Sequence, residues 1–311
     1  MSTSSSAVFT GNPDWEPLDV VSAADSSFVL RDGRKIYNAS CGAAVNVLGY
    51  LYCVVTKAIS KLLTNGLFYI PSAHFRHQVV EDFAQMLIDT TDGKMSKVQF
   101  YSSGCTECMI SAIKLARQNY LVGDQKEEKR VNFIGRWGSY HGSCPTTLAL
   151  GSHAGRRRGF EPYFSTSFHH IDQCHGYRDC GERESTNAYV ARLMKKFRDK
   201  IEELGADTVC AIVVEPVVGA ALGCAPAEQG YLKGLRKLCD EFGILLIYDE
   251  IMCGMGRTGT LHAWQYEGVV PDIQVVGKGL AAGFFPISAM LVGSKVVSSF
   301  NNTKFFYRYT F

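Results

Sequence analysis

Two short apolar runs constrain this chain more than any other feature, residues 244–248 (ILLIY) and 273–276 (IQVV). Both are shorter than a stable helix, rich in β-branched side chains and bounded by turn residues, so they read as buried strands. The first ends on Asp249-Glu250 and the second on Gly277-Lys278-Gly279; a third run, 287–292, follows a turn containing glycine and proline. In open α/β sheets, ligand sites collect at the carboxyl ends of strands, where Asp249 and Lys278 both fall. A carboxylate and an amine beside an apolar core are costly unless paired or employed. This pair is therefore the first candidate for chemistry.

The remaining segments are compatible with that sheet. Residues 1–27 are polar, include Pro13 and Pro17, and read as an extended arm. Segments 27–30 and 35–38 flank Arg31-Asp32-Gly33-Arg34, a hairpin signal. Segments 50–63 and 78–90 repeat apolar residues at helical spacing. A strand at 98–101 leads through Ser102-Ser103-Gly104-Cys105-Thr106 into a helix from Glu107. A strand at 131–134 precedes Trp137-Gly138-Ser139-Tyr140-His141-Gly142-Ser143, and 187–204 forms an amphipathic helix. The run 209–214 reads as a buried strand ending on Glu215-Pro216, where the proline keeps the glutamate out of helical conformation. A helix at 231–242 follows. Strands alternating with helices from about residue 98 predict a mostly parallel, helix-covered sheet.

Several function classes are disfavoured. At 311 residues the chain forms one large domain or two smaller ones. Its 32 basic against 30 acidic residues give no electrostatic case for nucleic acid or membrane. No apolar run approaches a membrane span, and MSTSSSAVFT lacks both a signal core and arginine, so a cytoplasmic location is expected. Eleven cysteines without a signal peptide read as mostly reduced and buried. Cys105 and Cys108 form a CxxC with no second one to complete a zinc site. The group His169-His170, Cys174-His175 and Cys180 matches no standard zinc spacing, so no metal is expected. Arg156-Arg157-Arg158 reads as a solvated basic turn.

The strand ends carry Tyr140-His141, Glu215, Asp249 and Lys278, and a helix N-terminus after Gly104 offers unpaired N–H groups to an anion. A lysine nucleophile wants an apolar surround and a carbonyl partner. Pyridoxal phosphate supplies that carbonyl, and asks for a carboxylate on its ring nitrogen and an anion site for its phosphate. Plainer readings stand beside this one: a structural Lys278–Asp249 ion pair, N-capping by Ser103 or Thr106, and a core aromatic with a satisfied histidine at 140–141.

The stretch YDEIMCGMGRTGTLHAWQYEGVVPDIQVVGKGL (248–280) resembles the signature of class III, subgroup II, pyridoxal-phosphate-dependent aminotransferases of fold type I. Val-Glu-Pro-Val at 214–217, WGSYHG at 137–142, SGCTECMISAIKLAR at 103–117 and RDGRKIYNASCGAAVNVLGY at 31–50 agree with it, and the resemblance covers residues 15 to 311. It implies an α/β fold type I large domain at 61–311 with a mostly parallel seven-stranded sheet. An arm and small-domain segment would occupy 1–60. It further implies amino transfer between an amine or amino acid and a 2-oxo acid in a homodimer. By the same resemblance Lys278 is the Schiff-base lysine and proton carrier, and Asp249 pairs with the ring nitrogen. Tyr140 and Ile251 cover the two ring faces, with His141 and Glu215 beside the cofactor. Cys105 and Thr106 take the place of a Gly-Ser type pair at the phosphate, and Thr310 caps the neighbouring subunit's phosphate.

Three departures qualify the resemblance. Cys105 adds a side chain where small residues let phosphate approach. Ala220, five residues beyond Glu215, stands where members with a glutamate–arginine gate carry an acid, so that gate is expected to be absent. The chain stops at Phe311 where the family continues into a C-terminal small domain, so that domain, with an arginine that commonly binds the substrate carboxylate, is expected to be absent. The alternatives to a transaminase are a catalytically impaired pyridoxal-phosphate-binding homologue and a related decarboxylase or aminomutase.

Overall fold

The computed structural model describes residues 7–9, 11, 16–67, 70–71, 74–122 and 126–301. The chain divides into two compact units, Met1–Tyr69 and Ile70–Phe311. None of the described helices is long and apolar enough to cross a membrane.

In the first unit, β1 (Val20–Ala24), β2 (Ser27–Leu30) and β3 (Lys35–Tyr37) form an antiparallel sheet in that order. The β2–β3 hairpin turns where 31–34 predicted it, with Gly33 at φ +87°. The strand β1 corrects the expectation of an extended arm through residue 27. Its VVSAA is exposed at four of five positions, so burial imposes no alternation on the sequence, and pairing with β2 makes the strand. The helix Cys53–Thr64 begins later than the 50–63 periodicity suggests. Tyr50 donates its N–H to Asp25 (2.6 Å) and Leu51 takes φ +58°, so neither can join a helix.

The second unit is built on seven strands: β4 (Met95–Tyr101), β5 (Asn132–Arg136), β6 (Phe168–Ile171), β7 (Val209–Val214), β10 (Leu245–Asp249), β11 (Ile273–Val276) and β12 (Ser288–Gly293). A separate ribbon pairs β8 (Val217–Val218) with β9 (Ala225–Pro226). The sheet order is β4-β12-β11-β10-β7-β5-β6. Only β12 runs against the others. Six parallel strands therefore open their carboxyl ends on one edge.

Every residue of β7 and β10 is buried, which is why these runs read as continuously apolar. Their alternate side chains serve two layers. Leu245 and Ile247 pack with Cys108, Met109 and Ala112 of the helix Cys105–Asn119. Leu246 and Tyr248 pack with Leu193 and Phe197 of Thr186–Leu204 and Leu235 of Tyr231–Phe242. Each such leucine contributes about 1.5–3 kcal/mol by leaving water.

The strand β6 has no counterpart among the predicted strands, and it carries His169 and His170 of the group that matches no zinc spacing. At the sheet edge those histidines are only half-buried, and they interrupt the apolar run that would have marked a strand. His169 bonds Asn132 (3.1 Å), and His170 bonds the carbonyls of Leu150 and Gly151 (3.0 and 3.2 Å) and stacks on Trp137. Burial, with the Arg157 guanidinium, holds His170 down to about 4. Among the described residues no group of His, Cys, Asp and Glu is placed to hold a metal ion.

Candidate active site

Asp249 is the last residue of β10, and Lys278 lies two residues past the end of the adjacent parallel strand β11. One Asp249 oxygen meets His141 Nδ1 at 2.8 Å, and the other accepts the Ile251 N–H at 3.1 Å. Both His141 and Asp249 are almost wholly buried, at 1% and 4% exposure. The His141 Nε2 is buried without a partner. Among the described residues the ion-pair partner of Asp249 is His141, so the structural Lys278–Asp249 pair does not form. Lys278 is half-buried in a 3-10 turn with φ +47°, an uncommon conformation for a side chain of its size.

Residues 137–143 deliver His141 from the end of β5. Trp137 N–H donates to Ile171 (2.8 Å), and Ser139 Oγ donates to the Arg136 carbonyl (2.8 Å). Gly142 has φ +136°, and a Cβ there would stand 2.7 Å from both Thr106 Oγ1 and Thr147 Oγ1. Only glycine lets this turn lie flush on the start of the helix Cys105–Asn119, where Ser143 N–H donates to Thr106 Oγ1 (3.2 Å). Gly104 caps that helix with extended backbone and no side-chain hydrogen bond, so neither Ser103 nor Thr106 is its cap. Ser103 Oγ donates instead to the Glu107 carboxylate.

Glu215 follows β7 as the Val-Glu-Pro pattern predicts, and accepts the N–H groups of Tyr140 and Gly219, both at 3.0 Å. Burial raises its pKa, with the charge on Asp249 adding to the effect while His141 and the two N–H donors oppose it. Tyr140 is thereby fixed through its backbone. Its ring lies under the Arg156 guanidinium, 4.6 Å from the centroid. Arg157 bonds the Gly151 carbonyl (2.6 Å) and covers the Trp137 and Phe164 rings. The basic turn is thus a set of ring contacts rather than a merely solvated loop.

Ile251 is buried in the core cluster beneath Asp249. Cys105 packs against the same cluster, and burial pushes its thiol up to about 11, with Asp249 adding to the shift and Lys278 opposing it. Ala220 is exposed. Thr310 lies outside the described residues.

Two buried groups escaped sequence reasoning. Glu250 is fully buried beside Asp249 and accepts the N–H groups of Ala263 (2.7 Å) and Trp264 (2.9 Å) and the Gln274 amide (2.8 Å). Gln274 continues to His262 Nδ1 (2.9 Å), and His262 Nε2 reaches Thr90 (2.9 Å). Burial raises Glu250 to about 7 against those donors. Arg136, at the end of β5, donates to the Glu215 carbonyl (2.6 Å) and sits 5.4 Å from the Tyr231 ring centroid. An acid next to an acid and an arginine ending a strand carry no periodic signal, so their burial had to be seen.

The arrangement offers a buried carboxylate held at both oxygens, an amine just past the end of the next strand, and a helix N-terminus with no side-chain cap. Such a set suits a ligand with an anion at one end and a basic ring nitrogen at the other. The family description "Aminotransferase class-III" matches residues 10–307. An aminotransferase of Gibberella zeae is 45% identical over 90% of this chain and 55% of its own length. The acetylornithine aminotransferase of Pseudomonas putida is 33% identical over 86% of this chain and 58% of its own. A PLP-bound amine transaminase from an uncultivated Pseudomonas species superposes with a TM-score of 0.87 at 26% identity, covering 98% of this chain and 67% of that one. The chain spans little more than half the length of the curated relatives it matches.

Proposed function

This chain belongs to the class III aminotransferase family, and from that premise we propose that it binds pyridoxal phosphate and moves an amino group from an amine or amino acid to a 2-oxo acid. The observation that carries this reading is the buried His141–Asp249 pair (2.8 Å) at the end of β10, next to the strand whose following turn carries Lys278, for which no ion pair forms among the described residues. The unpartnered His141 Nε2 and the helix after Gly104, which has no side-chain cap, also support a polar ligand there.

When bound, pyridoxal phosphate supplies an aldehyde for the amine and a ring that draws electrons from the carbon losing its proton. Asp249, steadied by His141 and the Ile251 N–H, holds a proton on the ring nitrogen. The backbone N–H groups at Cys105 and Thr106, with the Thr106 hydroxyl, bind the phosphate, and Thr310 of a second copy completes that site in a homodimer. Tyr140 and Ile251 would cover the bound ring and exclude water. Glu215 keeps Tyr140 in place through its backbone. Lys278 would hold the cofactor by its amine and, once the incoming amine has displaced it, would be free to take the proton from the donor's α-carbon. The reading places the protein in the cytoplasm, acting on small molecules. Residues 61–311 supply the catalytic groups, and 1–60 an arm and small-domain segment.

The test is borohydride fixation of the cofactor on the purified chain, followed by peptide mass spectrometry. The label is expected on Lys278 and absent in Lys278→Ala. An amine donor and a 2-oxo acid should then yield the nitrogen-labelled amino acid. Label on another lysine, or release of carbon dioxide without amino transfer, would reject the reading.

A further inference from the structure

Cys105 stands at the first position of its helix, yet its side chain turns into the sheet and packs against the core cluster that includes Ile251 and Val275. It comes to rest beneath the turn that carries Lys278. A Cβ on Gly277 would lie 2.6 Å from Cys105 Sγ, but 3.5 Å from Ser288 Cβ and 3.9 Å from Ile251 Cγ2. The sulfur alone therefore forbids a side chain at 277. Gly277 has φ −170°, open to any residue, so the glycine is not required by its own backbone. Its neighbour Lys278 does carry an unusual backbone, at φ +47°. A left-handed conformation at a long side chain persists only where the surroundings hold it.

We propose that Cys105 is a positioning residue for Lys278: its sulfur fills the space left by Gly277 and braces the Lys278 backbone, so residues 105 and 277 form a matched pair. The pair accounts for the one oddity at the anion site. The extra side chain at 105 points to the lysine turn and leaves the helix N–H groups uncovered. The proposal rests on Lys278 being the reactive amine, but not on any bound group.

The test uses the full chain without added cofactor and two readouts. The first is a double-mutant cycle in Tm between Cys105→Ala and Gly277→Ala. With Cys105 present, Gly277→Ala is expected to lower Tm by about 2–6 °C, and by much less once the sulfur is gone. The second is trace labelling by acetic anhydride, read as Lys278 acetylation relative to exposed lysines. Cys105→Ala should change that ratio by about threefold or more, and Cys105→Val, which refills the space beneath Gly277, should restore it. If Cys105→Ala does not fold, Cys105→Ser, with a smaller atom in place of the sulfur, must shift the labelling in the same direction. Additive Tm losses overturn the proposal. Coupled Tm losses with unchanged Lys278 labelling also overturn it, because the thiol then fills space and positions nothing. Failure of borohydride fixation at Lys278 with both readouts as expected rejects the proposed function and leaves the pairing intact.

Discussion

At the scale of single residues, the site depends on glycines as much as on charged groups. Gly142 holds φ +136°, and an added Cβ would meet two threonine hydroxyls at 2.7 Å. Gly142→Ala combines backbone strain with overpacking, each worth about 1–3 kcal/mol. It should lower Tm and, by pushing Ser143 off Thr106, weaken pyridoxal phosphate binding by about tenfold, the worth of a lost hydrogen bond near a charged group. A spectroscopic titration checks this, and unchanged affinity would remove the 137–143 turn from the anion site. The residues with this leverage were legible unequally. Asp249, Glu215 and Lys278 sit next to strand-terminating glycine, proline or acid signals. His141 was named, but its bond to Asp249 joins residues 108 positions apart.

At the scale of elements, the turn between β10 and β11 is held by Glu250, whose carboxylate ties residues 263, 264 and 274 together. Burial raises this group from 4.5 to about 7, so the folded chain keeps a proton that the unfolded chain releases in that window. Its contribution to stability is therefore greatest below about 4.5 and declines as pH rises towards 7. Glu250→Gln removes the titration. The variant should lose stability, through an amide N–H facing other donors, by about 1–3 kcal/mol. Its Tm should also fall less steeply than the parent's between pH 4.5 and 7. Denaturation scans across that range decide it; parallel pH profiles would show that Glu250 does not titrate there. A second element-level dependence is steric. A Cβ on Gly135 would lie 2.6 Å from the Leu150 carbonyl, where β5 packs on the helix Pro145–Leu150. Gly135→Ala should lower Tm by roughly 2–6 °C, and no loss would mean that this packing yields freely. Neither contact has a sequence signature, because periodicity reports which face is apolar and not how close two backbones come.

At the scale of the whole molecule, the groups assigned to one ligand come from the loops after β4, β5, β7, β10 and β11. Binding should stabilise the unit that carries them all. At a hundredfold excess over Kd the gain is about 2.7 kcal/mol, which for a unit of this size is about 5 °C in Tm. Calorimetry with and without pyridoxal phosphate measures it, and an unchanged Tm would count against the site. The sequence by itself determined the alternation of strands and helices and the parallel core. Strands buried on both faces must be written as short runs of apolar, often β-branched residues, and those runs are visible in any reading. It also determined which residue types stand at the strand ends. It could not show β1 and β6, whose exposed or histidine-bearing sequences lack that signature. Nor could it show that Asp249 is paired with His141 rather than Lys278, or that the Cys105 side chain turns inward under Gly277. Those outcomes depend on distances of a few ångströms between segments far apart in the chain, and only the folded sheet fixes them.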